Sequence, residues 1–252
     1  MDLRQRGIWR EDGLYRLAGT SQIRQYDAMK SVTRKPSLIA STIAVMLFFS
    51  GFQPSISHAE QQLATKILEE LEVKGRAPKT GFARTSFGSP WSDVDRNGCD
   101  TRNDILIRDL SSIVFQSQQN RCVVLSGILD DPYSGTKINF VRGKSSSIAV
   151  QIDHVVALSN AWQTGAFGWN ENKRKQFAND PLNLRAVKGS LNSQKGDGDA
   201  ATWLPPNKSY RCTYVARQIA VKSRYQLWVT APEKKAMEKI LQSCPSELLP
   251  EN

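Results

Sequence analysis

Leu63, Ile67, Leu68 and Leu71 recur at helical spacing and predict an amphipathic helix over residues 60–72. The pattern then dissolves into "KGRAPKTGFARTSFGSPW", rich in Gly, Pro and Ser, which reads as a connector. Periodicity resumes with a helix over 101–110 and a strand over 122–128, "CVVLSGI"; the turn sequence "DPYSG" leads into a second strand around 138–141. Residues 147–156 alternate toward a third strand that carries Asp153 and His154. Polar helices are predicted near 157–164 and 170–178, then a short strand in "PLNLRAV" and a short helix in "GSLNSQKGD". Ala236, Met237, Ile240, Leu241 and Cys244 share one face of a C-terminal helix, the ordinary core-packing pattern. Without internal repeats, these elements predict one α+β domain, mostly helical in content.

One apolar run stands outside that domain. "LIASTIAVMLFF", residues 38–49, follows the basic Lys30, Arg34 and Lys35 and precedes "SISHA", which puts the small residues Ser57 and Ala59 at the −3 and −1 positions of a cleavage site. This is the pattern of a secretory signal peptide, with translation starting at Met29 and cleavage after Ala59. The run is shorter than the roughly 20 apolar residues a membrane span needs, so no span is expected in the mature chain. Residues 1–59 are therefore read as extension and signal, 60–90 as helix and linker, and 91–252 as the functional domain of a secreted monomer.

Export changes the meaning of the remaining composition. The full chain of 252 residues carries a net charge of +10, and the part from Glu60 onward keeps 26 Lys and Arg against 20 Asp and Glu, or +6. His154 is the single histidine of that part. Its four cysteines, an even number in an exported chain, read as two disulfides. Of three pairings, Cys99–Cys122 and Cys212–Cys244 each staple a local unit, worth about 3 kcal/mol apiece in the chain-entropy model. Zinc is disfavoured because no CxxC pair exists and one histidine remains. The charge is also local. Residues 170–235 hold 13 basic against 5 acidic residues, 60–169 hold 12 against 12, and 236–252 hold 1 against 3. A basic run is usually a solvated helix face; next to a candidate base it gains weight as a phosphate-binding surface, with Arg185, Lys188 and Lys195 as its nearest members.

The order Asp153-His154, then Asn183 in "PLNLRAV", then Asn192 and Lys195 in "LNSQKGD", resembles the HNH, or ββα-metal, endonucleases. "NLRAVKGSLNSQKGD" matches the spacing in the HNH domain of RNA-guided CRISPR nucleases. The wider run "IDHVVALSNAW…FANDPLNL…WLPPN" is similar to secreted bacterial HNH proteins related to the C-terminal domain of GmrSD-type restriction enzymes. The resemblance covers roughly residues 90–244. It implies a ββα-metal core within a disulfide-stapled domain and cleavage of phosphodiester bonds, in DNA foremost and with little sequence specificity. His154 becomes the general base; Asp153 and Asn192 become oxygen ligands of Mg²⁺, or Mn²⁺ in its place; Asn183 becomes a brace for the loop behind His154. Lys195, one turn after Asn192, becomes a contact to a phosphate oxygen. Colicin-type sites hold a transition metal with several histidines, and here only one remains. The rival class is a secreted nucleic-acid-binding protein with an inactive HNH shell.

A second cluster, "DVDRNGCDTRND", puts Asp93, Asp95, Asn97 and Asp104 on positions 1, 3, 5 and 12 of a calcium loop. The other reading is an Asx-rich turn capping the 101–110 helix. "CDTRND" also recurs in the secreted HNH relatives, so Asp100 or Arg102 is a further candidate to support the site.

Overall fold

The structure, a computed structural model, describes residues 62–250. The signal segment, the start at Met29 and the cleavage after Ala59 lie outside the described residues. Among those described, no helix is long and apolar enough to cross a membrane.

Among the described residues, seven α-helices and five strands form a mixed architecture, less helical than the sequence suggests. Helix α1 (Ala64–Glu70) buries Ala64, Ile67 and Leu68 against α6 (Arg211–Tyr225) and α7 (Ala231–Leu241). Thr230 caps α7 by accepting from the Glu233 amide while the Glu233 carboxylate reaches back to the Thr230 amide, so each satisfies an end group of the helix. The predicted pairings both form. Cys99–Cys122 ties the loop before α2 (Thr101–Asp109) to the start of β2 (Val124–Asp131), and Cys212–Cys244 ties α6 to the segment after α7. The second bridge is half-buried rather than enclosed.

Strands β1 (Leu110–Phe115), β2 and β3 (Thr136–Val141) make an antiparallel meander. The turn "DPYSG" is closed by Asp131, whose Oδ2 accepts from the Ser134 amide at 2.8 Å, and Gly135 takes the left-handed conformation there (φ +71°). Asp131 Oδ1 accepts from the Lys188 amide at 2.9 Å. One buried carboxylate thus joins the meander to the second sheet.

That sheet has two strands, β4 (Val150–His154) and β5 (Leu184–Lys188), paired antiparallel with Asp153 opposite Arg185 and His154 opposite Leu184. Between them run α3 (Leu158–Gln163) and α4 (Glu171–Asn179), and α5 (Gly189–Lys195) follows β5 directly and packs on β4. Gly189 permits that approach. A Cβ on it would stand 1.9 Å from the Ile148 carbonyl oxygen. Beneath the sheet, Ile105 and Leu106 of α2 pack with Val150, Ile152, Leu184 and Ala186.

The stretch read as a connector is part of the body. Arg84–Phe87 form a 3₁₀ turn, Phe87 is 1% exposed, and it meets Phe177 and Trp162 in a separate apolar cluster. The Arg174 guanidinium fixes the turn by donating to the Ser86 carbonyl at 2.8 Å.

Candidate active site

The end of β4 carries two side chains on opposite faces. Pairing with β5 continues through His154, so the strand is regular to its last residue and alternation sends Asp153 and His154 to different sides. In this register Asp153 and His154 do not converge on one phosphate.

Asp153 points inward. It is 3% exposed, with Lys195 Nζ at 2.9 Å from Oδ1 and the Tyr133 hydroxyl donating to Oδ2 at 2.5 Å. Lys195 Nζ donates a second bond, 2.8 Å, to the His154 carbonyl, and its side chain has no exposed surface. The phosphate contact assigned to Lys195 is therefore corrected: α5 packs that face onto β4, and the ammonium lies inside the protein. Burial raises the Asp153 pKa, opposed by the Lys195 charge and the Tyr133 hydrogen bond. A hard divalent ion needs carboxylate oxygens facing a hydrated space. Both Asp153 oxygens are engaged, a cation stands 2.9 Å away, and Asn192 donates its amide to Gln151 Oε1 at 2.9 Å. As arranged, Asp153 and Asn192 do not fit Mg²⁺ or Mn²⁺.

Asn183 lies fully buried behind His154. Its Oδ1 accepts from the Val156 amide at 2.8 Å, its Nδ2 donates to the Val156 carbonyl at 3.3 Å, and its own carbonyl accepts from the Val155 amide at 2.8 Å. The chain after His154 is thus clamped to the start of β5.

His154 itself faces a cleft of about 110 Å³, walled by Phe87, Pro90, Trp91 and Leu158 and edged by the exposed Arg84. His154 Nε2 lies 2.9 Å from the Ala178 carbonyl oxygen. A carbonyl can only accept, so Nε2 carries the proton and Nδ1 carries the lone pair. Among the described residues Nδ1 has no protein partner. Burial pulls the His154 pKa down to about 4; the Ala178 bond opposes that shift, and the Arg84 and Lys195 charges add to it. The ring is therefore neutral through the physiological range.

This depressed pKa has a consequence for stability. The folded value, about 4, lies below the ordinary 6.5, so the two states bind protons equally above pH 6.5. As pH falls from 6.5 toward 4, the unfolded chain takes up a proton that the folded chain refuses. At about 1.4 kcal/mol per unit of pKa difference, the loss approaches about 3 kcal/mol near pH 4. Urea unfolding between pH 7.5 and 4 should show a steeper fall for wild type than for His154→Gln; parallel curves would contradict a half-buried imidazole kept neutral by its surroundings.

Part of the basic run after residue 170 is taken up in ion pairs, although of its lysines and arginines only Lys195 and Lys222 are buried. Arg185 pairs with Asp109 at 3.1 Å, Lys222 with Glu233 at 2.9 Å and Arg224 with Asp180 at 3.2 Å. Of the three predicted nucleic-acid contacts, Lys188 is the one that is exposed. The cation at the cleft, Arg84, and its aromatic wall, Trp91, came from the supposed connector, and Tyr133 from the "DPYSG" turn.

The Asp93–Asp104 stretch is drawn together by its own side-chain hydrogen bonds. Asp93 Oδ2 accepts from the Gly98 amide at 3.0 Å, and Asn97 Nδ2 donates to Asp95 at 3.0 Å and Asp104 at 3.1 Å. Asp100 caps α2, and Arg102 donates to the Val150 carbonyl at 3.3 Å, bracing the start of β4. Among the described residues, the one trio of His, Cys, Asp or Glu groups close enough to share an ion is Cys212, Cys244 and Glu247, whose sulfurs are joined in the disulfide.

Residues 100–240 match the family model described as GmrSD restriction endonucleases, C-terminal domain. A protein from Arthroderma benhamiae described as an uncharacterized secreted protein is 38% identical over 183 residues, 72% of this chain and 84% of that relative. No solved structure matches the chain.

Proposed function

Because the chain belongs to the family of GmrSD restriction endonuclease C-terminal domains, we propose that it is an exported nuclease of the HNH type, hydrolysing phosphodiester bonds in nucleic acid, DNA foremost. Two disulfides suit an oxidising compartment, and the fungal relative is described as secreted. The observation that carries the reading is the state of His154: a neutral ring, its Nε2 proton held by Ala178, with Nδ1 unpartnered beside an open cleft. A positioned base of this kind takes a proton from water as that water's oxygen attacks phosphorus. The bond from phosphorus to the leaving sugar oxygen then breaks, and that oxygen collects a proton from solvent. Asn183 and Lys195 keep the backbone around His154 in place. Arg84 is the cation at the cleft edge for the phosphate.

The rival, a binding protein with an inactive HNH shell, draws on the enclosed Asp153. Turnover decides between them. Purified secreted protein, incubated with plasmid and with single-stranded oligonucleotide, with Mg²⁺, Mn²⁺ or EDTA, should produce fragments that accumulate with time. Intact substrate in every arm, with retained binding, would establish the rival.

A further inference from the structure

We propose that the cleft beside His154 is a subsite for one unpaired nucleotide, its base stacked on Trp91 and its phosphate held by Arg84, so that the protein favours single-stranded over duplex nucleic acid. The inference rests on the nuclease reading for its biological sense, and on the cleft itself for its geometry. The walls Phe87, Pro90, Trp91 and Leu158 are apolar, and the edge carries an exposed guanidinium. An apolar, ring-lined slot with a cation at its mouth matches a planar base joined to an anion. A volume of about 110 Å³ limits the occupant to one small planar group.

The wall is built rather than incidental. Trp91 adopts a left-handed backbone conformation (φ +57°), uncommon for a bulky residue and held only where the surroundings impose it. Those surroundings are visible. Phe87 anchors the segment in the core, Arg174 ties the Ser86 carbonyl, and Thr101 Oγ1 donates to the Ser92 carbonyl at 2.5 Å. The Trp91 ring is left half-buried and within 17° of parallel to the His154 imidazole, centroids 6.2 Å apart. A base lying on Trp91 would therefore bring its own phosphodiester close to His154. A duplex keeps its bases stacked on one another and offers no face to such a wall without paying for unstacking.

The experiment uses the full secreted chain with His154→Ala, which spares the substrate, and a fluorescent oligonucleotide as single strand or as duplex. Trp91→Ala should weaken single-strand binding about 5–150-fold, the range of base–aromatic stacking, with duplex binding unchanged. Trp91→Phe should restore most of the affinity. Arg84→Gln, an exposed change that keeps the test open if Trp91→Ala does not fold, should flatten the salt dependence of single-strand binding by about 0.7 in log–log slope. Equal loss for single strand and duplex, or a single-strand affinity indifferent to both residues, would overturn the subsite. Should the wild type cleave nothing while Trp91→Ala still loses single-strand affinity, the nuclease reading falls and the subsite stands.

Discussion

Replacing His154 by alanine is expected to lower the cleavage rate about 10²–10⁴-fold, the usual loss when a general base is removed. Binding of nucleic acid should change little, because the partners assigned to substrate are Arg84 and Trp91. The pH profile of the wild type sharpens the test. With its pKa near 4, His154 stays competent as a base well below neutrality, so kcat/KM should hold down to about pH 4 and fall below it as the ring takes a proton. A solvated histidine would lose activity already near 6.5. The Ala178 bond makes a second distinction. His154→Gln retains a donor for that carbonyl yet lacks a basic nitrogen, so it should fold and bind but remain as inactive as alanine. Wild-type cleavage by either variant would remove His154 from the chemistry and leave "VQIDHVVALSNAW" a strand with a structural histidine.

The sequence disclosed His154 more readily than its setting. A lone histidine at a strand end, with Asn183 and Asn192 at fixed distances after it, is a pattern of spacing, and spacing is what a sequence records. Both disulfides were legible for the same reason, since neighbours in the chain are the easiest to join. Strand β1 was not. Leu110 continues the helical period of α2, and "LSSIVF" is interrupted by Ser111, Ser112 and register shifts, with Ser112 at φ +51°, so no clean alternation signals it. The cleft wall was missed because Gly and Pro made residues 74–91 look like a linker, although Phe82, Phe87 and Trp91 among them were apolar anchors. Lys195 was misplaced for a subtler reason. Helical spacing puts it near the Asn192 face, but not whether that face meets water; only the packing of α5 on β4, with Tyr133 arriving from a turn far back in the chain, settles the matter.

That enclosed lysine sets the largest expected change in stability. Lys195→Met should cost about 3–5 kcal/mol, the usual loss when one member of a buried ion pair is removed and the other is stranded. Asp153→Leu should cost a comparable amount by stranding the ammonium instead. The double variant Asp153→Leu/Lys195→Met should recover most of either loss, because an apolar pair of similar volume removes both desolvation penalties at once. The pH dependence identifies the stranded group. In Lys195→Met the Asp153 carboxyl, already raised by burial, loses the charge that opposed the rise. Its folded pKa then lies further above the unfolded value, so the protonated form is the one folding favours. The variant should be least destabilised at low pH, and the deficit should grow as pH rises through the folded pKa and the carboxyl must ionise in the interior. Asp153→Leu should lack that trend. Activity should follow the same network, since Lys195 also holds the His154 carbonyl. If Lys195→Met unfolds in urea at the wild-type midpoint and instead weakens binding to nucleic acid with a flatter salt dependence, the ammonium stands in solvent and contacts phosphate. Asp153 would then have an oxygen free for a metal.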